Sequence, residues 1–252
     1  FTAGTYQTYG RWAFLPGLTM DIPDGWKSTE QDAGEFNLIH PDFPAGSGFD
    51  SAEKSGLAGL THALLELGAE GMSEDDIASK LADTGAQLGG YFDADRASIA
   101  VRTLSSRAER DEALAVMARV LQRPLFSETV LAREKVRLVA ALKEAETKPE
   151  SIAAKAFGKA VFGEHPYGLH AAGEIASVER LQRADLDVFY STHYGAKSAV
   201  VALMGDVSRA EAEIIAQSLT AQLPPGGASG EIAQVVLQSS ASQLRIPHPA
   251  TQ

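Results

Sequence analysis

Gly56-Leu57-Ala58-Gly59-Leu60-Thr61-His62-Ala63-Leu64-Leu65-Glu66-Leu67-Gly68-Ala69 reads as one helix and its stop. Leu57, Leu60, Leu64 and Leu67 recur at spacings of three and four, the period of a single helix face, and Gly68 stands where a C-cap belongs. Such a stripe has to be buried against another element. Just downstream, Ser73 with Asp76 three residues later predicts a capped helix start, Ile77 and Leu81 continue the stripe, and Gly85 ends it. Ala97–Leu104 sets Ile99, Val101 and Thr103 against Arg102 and smaller residues, the alternation of a half-buried strand. Helices are expected over 109–122, 128–147 and 150–161, broken at Arg123-Pro124 and Lys148-Pro149. A further helical stretch runs from about 177 to 194, an apolar strand spans 198–204, and a last amphipathic helix spans 209–223.

Upstream, residues 1–44 have a different texture. They hold both tryptophans, Trp12 and Trp26, and show little helical periodicity. Extended pieces are expected at 5–15, Leu18–Ile22 and 35–39, with Pro23-Asp24-Gly25 as a turn. The aromatic residues suit a small core under a sheet better than a sugar or peptide platform. At the other end, residues 224–230, Pro-Pro-Gly-Gly-Ala-Ser-Gly, are a linker, and 231–237 and 243–246 look like strands opening a second domain of which only the start is present. The expected organisation is a β-rich segment at 1–44, an α+β domain at 45–223, the linker, and that second start at 231–252. Segregated strands and helix pairs favour an α+β layer over a doubly wound parallel sheet.

Composition narrows the function classes. The chain has 252 residues, 44% apolar and 22% charged, which fits a globular protein. Its net charge of −11 argues against nucleic-acid and anionic-membrane partners, whose binding relies on clustered cations. No apolar run approaches the roughly 18–20 residues of a membrane span. With no cysteine, disulfide scaffolds, thiolate zinc sites and cysteine nucleophiles are excluded.

Several motifs in order resemble one family. Ala45-Gly46-Ser47, Lys54-Ser55-Gly56-Leu57-Ala58, the helix to Gly68, Thr84–Gly90, Glu134-Lys135, His165-Pro166-Tyr167-Gly168, Phe189–Tyr194 and Val200–Val207 are similar to the amino-terminal half of pitrilysin- and insulinase-type zinc peptidases, which include the mitochondrial processing peptidases. The resemblance extends over roughly residues 45–252 and implies one half of a clam, with a mixed, largely antiparallel sheet covered by helices on one face. The family's inverted motif, H-x-x-E-H, puts two imidazoles at i and i+4 on a helix with a glutamate between them to activate metal-bound water. A second glutamate on a later helix completes the site. Zinc needs three protein ligands and an open position for water. On these residues, Gly59 falls at the first histidine position, His62 at the glutamate and Ala63 at the second histidine. With Glu134-Lys135 as anchor, the distal glutamate position is Ala141, and a shift of one residue would give Ala140 or Leu142. Glycine and alanine cannot bind metal, so the resemblance implies no catalytic residue, no metal ligand and no cofactor in this half.

Other residues offer weaker chemistry. His62, alone on an apolar helix, reads as a core or interface residue before a general base. His165 and His170 lie five apart in a loop and read as packing before metal binding, and neighbouring Glu164 as a solvated turn residue. His193 ends a helix, where a charged imidazole would face the negative end of the dipole. Ser105-Ser106 and Ser191-Thr192 have no histidine and acid in a triad-like arrangement. Thr84–Gly90 follows a helix, so it is no phosphate cradle; it reads as a plain turn before a place of peptide approach. Glu70, Glu74, Asp75, Asp76, Asp93, Asp95, Glu144 and Glu146 are expected on solvated faces, with an acidic chamber wall attracting basic peptides as the functional alternative.

The reading that follows is a catalytically inactive homologue paired with a zinc-bearing subunit that carries an intact H-x-x-E-H motif. Together they would enclose peptide substrates. The periplasm is the expected compartment by resemblance to paired bacterial members, with cytoplasm or mitochondrion as alternatives. The second functional reading is a structural or assembly subunit resembling the core proteins that respiratory complexes build from this fold, and the third a peptidase with an unrecognised site.

Overall fold

The computed structural model describes residues 4–8, 18–22, 36–226, 231–236 and 240–246. Its main sheet has four strands in the order β4-β5-β3-β6: β3 is Phe36–Phe43, β4 Gln87–Phe92, β5 Ala97–Leu104 and β6 Val200–Met204. All three pairings are antiparallel. A separate antiparallel pair joins β1 (Gly4–Thr8) to β2 (Leu18–Ile22), with Gly4 opposite Ile22. The expected turn at Pro23-Asp24-Gly25 lies outside the described residues.

The strand expected at 35–39 runs on to Phe43 and is an inner strand of the sheet, so the segment ascribed to 1–44 contributes to the fold expected to start at 45. Pro41 makes the early stop look right, because proline has no N–H for a ladder. Its effect is local: pairing with β5 skips His40 and Pro41 and resumes at Asp42 opposite Ser98, whereas pairing with β6 is continuous from Leu38 to Asp42.

One face of the sheet is dry. Ile39 and Phe43 of β3 and Ile99 and Val101 of β5 are buried among helix residues, while Leu38, Arg102, Val200 and Met204 on the other face are exposed. The helices are α1 (Leu57–Leu65), α2 (Glu74–Asp83), α3 (Arg107–Gln122), α4 (Glu128–Ala145), α5 (Pro149–Phe162), α6 (Ile175–Arg180), α7 (Arg183–His193) and α8 (Arg209–Thr220). Their starts follow the local chemistry. Ser73 Oγ accepts the Asp76 N–H at 3.1 Å while the Asp76 carboxylate accepts the Ser73 N–H at 2.9 Å; Ser208 and Glu211 repeat the arrangement at α8. Gly68 and Gly85 both have positive φ, as their positions after helices require.

Two expectations change. The stretch from 177 to 194 is two helices, because Leu181 and Gln182 leave the helical path and Gln182 caps α7 through Asp185. Residues 231–236 and 241–246 form no strand. Instead of pairing with the sheet, the first of these segments lies against the 165–168 loop, where the His165 ring bonds the Ala233 carbonyl at 2.7 Å.

Candidate functional site

The motif helix α1 is fastened at its start by a residue that the sequence reading missed. Asp50, buried, accepts the Gly56 N–H and the Ala58 N–H at 2.8 Å each, so one carboxylate satisfies two of the orphan donors of the helix N-terminus. Burial pushes Asp50 up to about 7, against the backbone donors of Ala58, Gly56 and Leu57, which pull it down. Gly56 sits at φ 90°, and a Cβ there would meet the Ala172 carbonyl at 2.8 Å. The 171–173 loop therefore presses directly on the start of α1, and Ser177 Oγ ties it further by donating to the Ser55 carbonyl at 2.8 Å.

With α1 held there, one face looks across a cavity of about 410 Å³. Gly59, Leu60 and Ala63 line it from α1, and Phe92, the last residue of β4, lines it from the sheet. On the far side α4 contributes Glu134, Arg137, Leu138 and Ala141, and the 171–172 loop closes the end. Gly59, Ala63 and Ala141, three of the four residues that the resemblance aligns with the motif, thus line one space, although Ala141 is 78 residues beyond Ala63. Alternation at three and four residues along α4 (134, 137, 138, 141) is the signal that could have placed Glu134, Arg137 and Leu138 with them.

His62 is not among the lining residues. Its ring stacks on Phe92 with centroids 5.5 Å apart and planes 16° apart, and its buried Nδ1 has no partner. Burial pulls it down to about 4, so at neutral pH it is an uncharged aromatic filler. Above it, Gly90 is obligatory: a Cβ would meet the Ser98 carbonyl oxygen at 2.1 Å and His62 Cε1 at 3.1 Å. Thr84–Gly90, expected as a plain turn, is a turn only as far as Ala86; its remainder belongs to β4, which stands at the end of the sheet.

The charges at the cavity are asymmetric. Glu134, with a side chain 13% exposed, bonds Arg133 at 2.9 Å and lies 3.7 Å from Arg137, whose side chain is 83% exposed. His165, His170 and His193 lie elsewhere. His165 Nδ1 accepts the Tyr167 N–H at 3.1 Å, while exposed His170 borders a separate, smaller hollow with Glu174. His193 packs on Phe49 and Phe189, and burial pulls it below the ordinary histidine range, so it serves as a packed ring and not as a cation for the helix end. Ser106, Ser191 and Thr192 make local helix bonds, to Glu109 in the first case and to the Val188 carbonyl in the others. Most of the acidic residues are tied individually, Glu70 to Arg123, Glu74 to Arg133 and Glu144 to Lys148. Among the described residues no three His, Asp or Glu side chains gather as a metal would need.

Comparison with known proteins bears on this arrangement. Residues 29–174, more than half of the chain, match the family described as insulinase, peptidase family M16. The chain belongs to that family. It is 26% identical over 167 residues to a probable mitochondrial-processing peptidase subunit beta of Arabidopsis thaliana, covering 66% of this chain and 31% of that one. It is 25% identical to an uncharacterized zinc protease of Rickettsia bellii, covering 69% and 42%. Among solved structures, a peptidase M16 inactive domain from Pseudomonas fluorescens superposes with a TM-score of 0.77 at 33% identity, over 80% of this chain and 49% of that one. The M16 chain therefore spans less than half the length of these relatives. Its α+β architecture is the family's. No helix among the described residues is long and apolar enough to cross a membrane. None of these names points to the periplasm, so that expectation gains no support from them.

The family implies zinc, and the residues present here do not fit it. Glycine and alanine carry no donor, the one imidazole of α1 is stacked away from the cavity, and Glu134 is engaged by two arginines. What the mostly apolar cavity can do is accept apolar groups.

Proposed function

We propose that this chain is a non-catalytic M16 half that pairs with a zinc-bearing subunit and helps to enclose a peptide. The observation that supports this is that Gly59, Ala63 and Ala141, the residues the resemblance aligns with three of the family's four site positions, line one cavity, and none of the three carries a metal donor. The relative described as an inactive domain supports the same reading. A chamber wall needs shape and not metal, because confinement and orientation of a substrate lower the entropic part of the barrier. In this chain β4 is the end strand of the four-stranded sheet, among the described residues, and an extended peptide would approach the wall along it. Hydrolysis belongs to the partner, whose H-x-x-E-H motif holds the metal.

The test mixes the purified chain with an H-x-x-E-H-bearing M16 subunit and measures zinc content and peptide cleavage for each alone and together. The expected result is a complex with zinc only in the partner and cleavage that depends on both chains. Chelator-sensitive cleavage by this chain alone would overturn the reading, as would a partner fully active without forming a complex. A stable complex with no influence on cleavage would favour a structural, assembly role instead.

A further inference from the structure

We propose that the hollow between the carboxyl-terminal ends of α3 and α8 binds a phosphoryl dianion, as free phosphate or as a small phosphomonoester, with Arg119 and Arg123 as its cationic partners. The hollow shares no residue with the cavity between α1 and α4, and its ligand is independent of the paired reading above.

The hollow measures about 280 Å³, with Arg119, Gln122, Arg123, Ser218 and Gln222 around it and alanines between them. Among the described residues no carboxylate lines it, in a chain whose acids outnumber its lysines and arginines 33 to 22. Arginines at a helix C-terminus ordinarily meet its bare carbonyls. Here those carbonyls have other donors. The Leu121 carbonyl accepts the Tyr190 hydroxyl, the Ser218 carbonyl accepts Gln122 Nε2 at 2.5 Å, and the Arg123 carbonyl accepts the Glu70 N–H at 2.9 Å. The dipole of α3 accounts for one cation at this end, not for two with no acid between them. Both guanidiniums have donors to spare. Arg119 makes no hydrogen bond or ion pair through its side chain with any described residue. Arg123 donates from Nη2 to Gln222 Oε1 at 3.0 Å, and its Nε lies 3.8 Å from the Glu70 carboxylate, an exposed pair that water weakens. With Gln222 Oε1 taken, the NH2 of that amide is a further donor, whereas Ser218 Oγ spends its proton on the Ile215 carbonyl. Arg119 in α3 and Arg123 just past its end are four residues apart, so the two like charges repel. A dianion between them removes that repulsion, and phosphate oxygens match the guanidinium fork two at a time. A carboxylate brings only one charge to two cations, which is why the phosphoryl group is the better fit.

The test is isothermal titration calorimetry on the full chain at low salt, with sodium phosphate, phenyl phosphate and sodium acetate as probes. Phosphate should saturate one site per chain and bind about tenfold or more tightly than acetate, since only the dianion satisfies both guanidiniums. Arg119→Gln and Arg123→Gln should each weaken phosphate about tenfold, the loss of one charge-assisted pair. Both positions are exposed, so circular dichroism and Tm should stay at the wild-type values. Arg209→Gln removes an equal charge at the far end of α8 and should change the affinity less than about twofold, because salt screens charges at that distance. The two phosphoryl probes separate the sources: tighter binding of the ester assigns a phosphomonoester, tighter binding of the ion assigns free phosphate, and either result supports the site. No saturable binding of phosphate or ester up to about 10 mM overturns the inference. Acetate binding as tightly as phosphate also overturns it, as does affinity that survives both arginine variants or falls equally in Arg209→Gln.

Discussion

Acidification should weaken the native chain through His62, and replacing that ring by leucine should remove the loss. The imidazole is pressed on Phe92 at 5.5 Å, its Nδ1 has no partner, and burial pulls it from 6.5 to about 4. The folded value is below the unfolded one, so the unfolded chain takes up the proton first. The contribution is therefore whole above pH 6.5 and is lost as pH falls toward 4. The gap between those values corresponds to about 3 kcal/mol when complete, most of which has gone by pH 4.5. Urea denaturation followed by circular dichroism at pH 7.5 and pH 4.5 measures it in wild type and in His62→Leu. Carboxylates elsewhere move both proteins alike and cancel in the difference. At pH 7.5 the variant should match or exceed wild type, since a buried ring nitrogen without a partner is removed. At pH 4.5 it should be the more stable by a further 2 kcal/mol or so. Parallel losses in the two proteins would refute the account of His62 as a desolvated, unpaired ring.

Three other perturbations probe the frame of the site. Asp50→Ala strands the Gly56 and Ala58 N–H groups in a buried place and should cost about 3 kcal/mol, read from thermal or urea unfolding; Asp50→Asn, which keeps an acceptor for only one of the two and turns an NH2 toward the other, should also destabilise. Gly90→Ala drives a methyl group into the Ser98 carbonyl and should destabilise by more than about 2 kcal/mol, whereas neighbouring Gly89→Ala, whose Cβ meets nothing within 4 Å, should stay within about 0.5 kcal/mol. Ser73→Ala breaks the cap of α2 and should lower stability by about 1 kcal/mol, visible as a fall in Tm of a few degrees, with no effect on peptide binding.

The helices were legible because their signals are local. Ser73 with Asp76, the leucine stripe of α1 and the Lys148-Pro149 break each act within one or two turns of chain. Gly59, Ala63 and Ala141 were singled out through family resemblance, and in the structure all three line one cavity. What escaped was non-local. The strand expected at 35–39 stops short of Phe43, and nothing in the sequence says that beyond Ile39, past Pro41, it keeps an unbroken partner in β6. Asp50 gives no hint in its own neighbourhood that it closes the start of a helix six residues on. The 177–194 stretch has continuous helical character, and its break at Leu181-Gln182 depends on a cap formed by side chains of ordinary composition. The strands expected at 231–237 and 243–246 failed because a strand is defined by its neighbour. The first finds a histidine ring and a loop where a ladder would have to be.

The missing rungs opposite Pro41 have a mechanical consequence. The β4–β5 hairpin, which carries both the end strand and Phe92, is stitched to the rest of the sheet at two places, Phe36–Ile39 and Asp42–Phe43, with an unfastened interval between them. A seam of that kind bends more readily than a continuous one. The wall that would meet an incoming chain is thus mounted on a compliant joint, while the helices behind it are clamped by buried contacts.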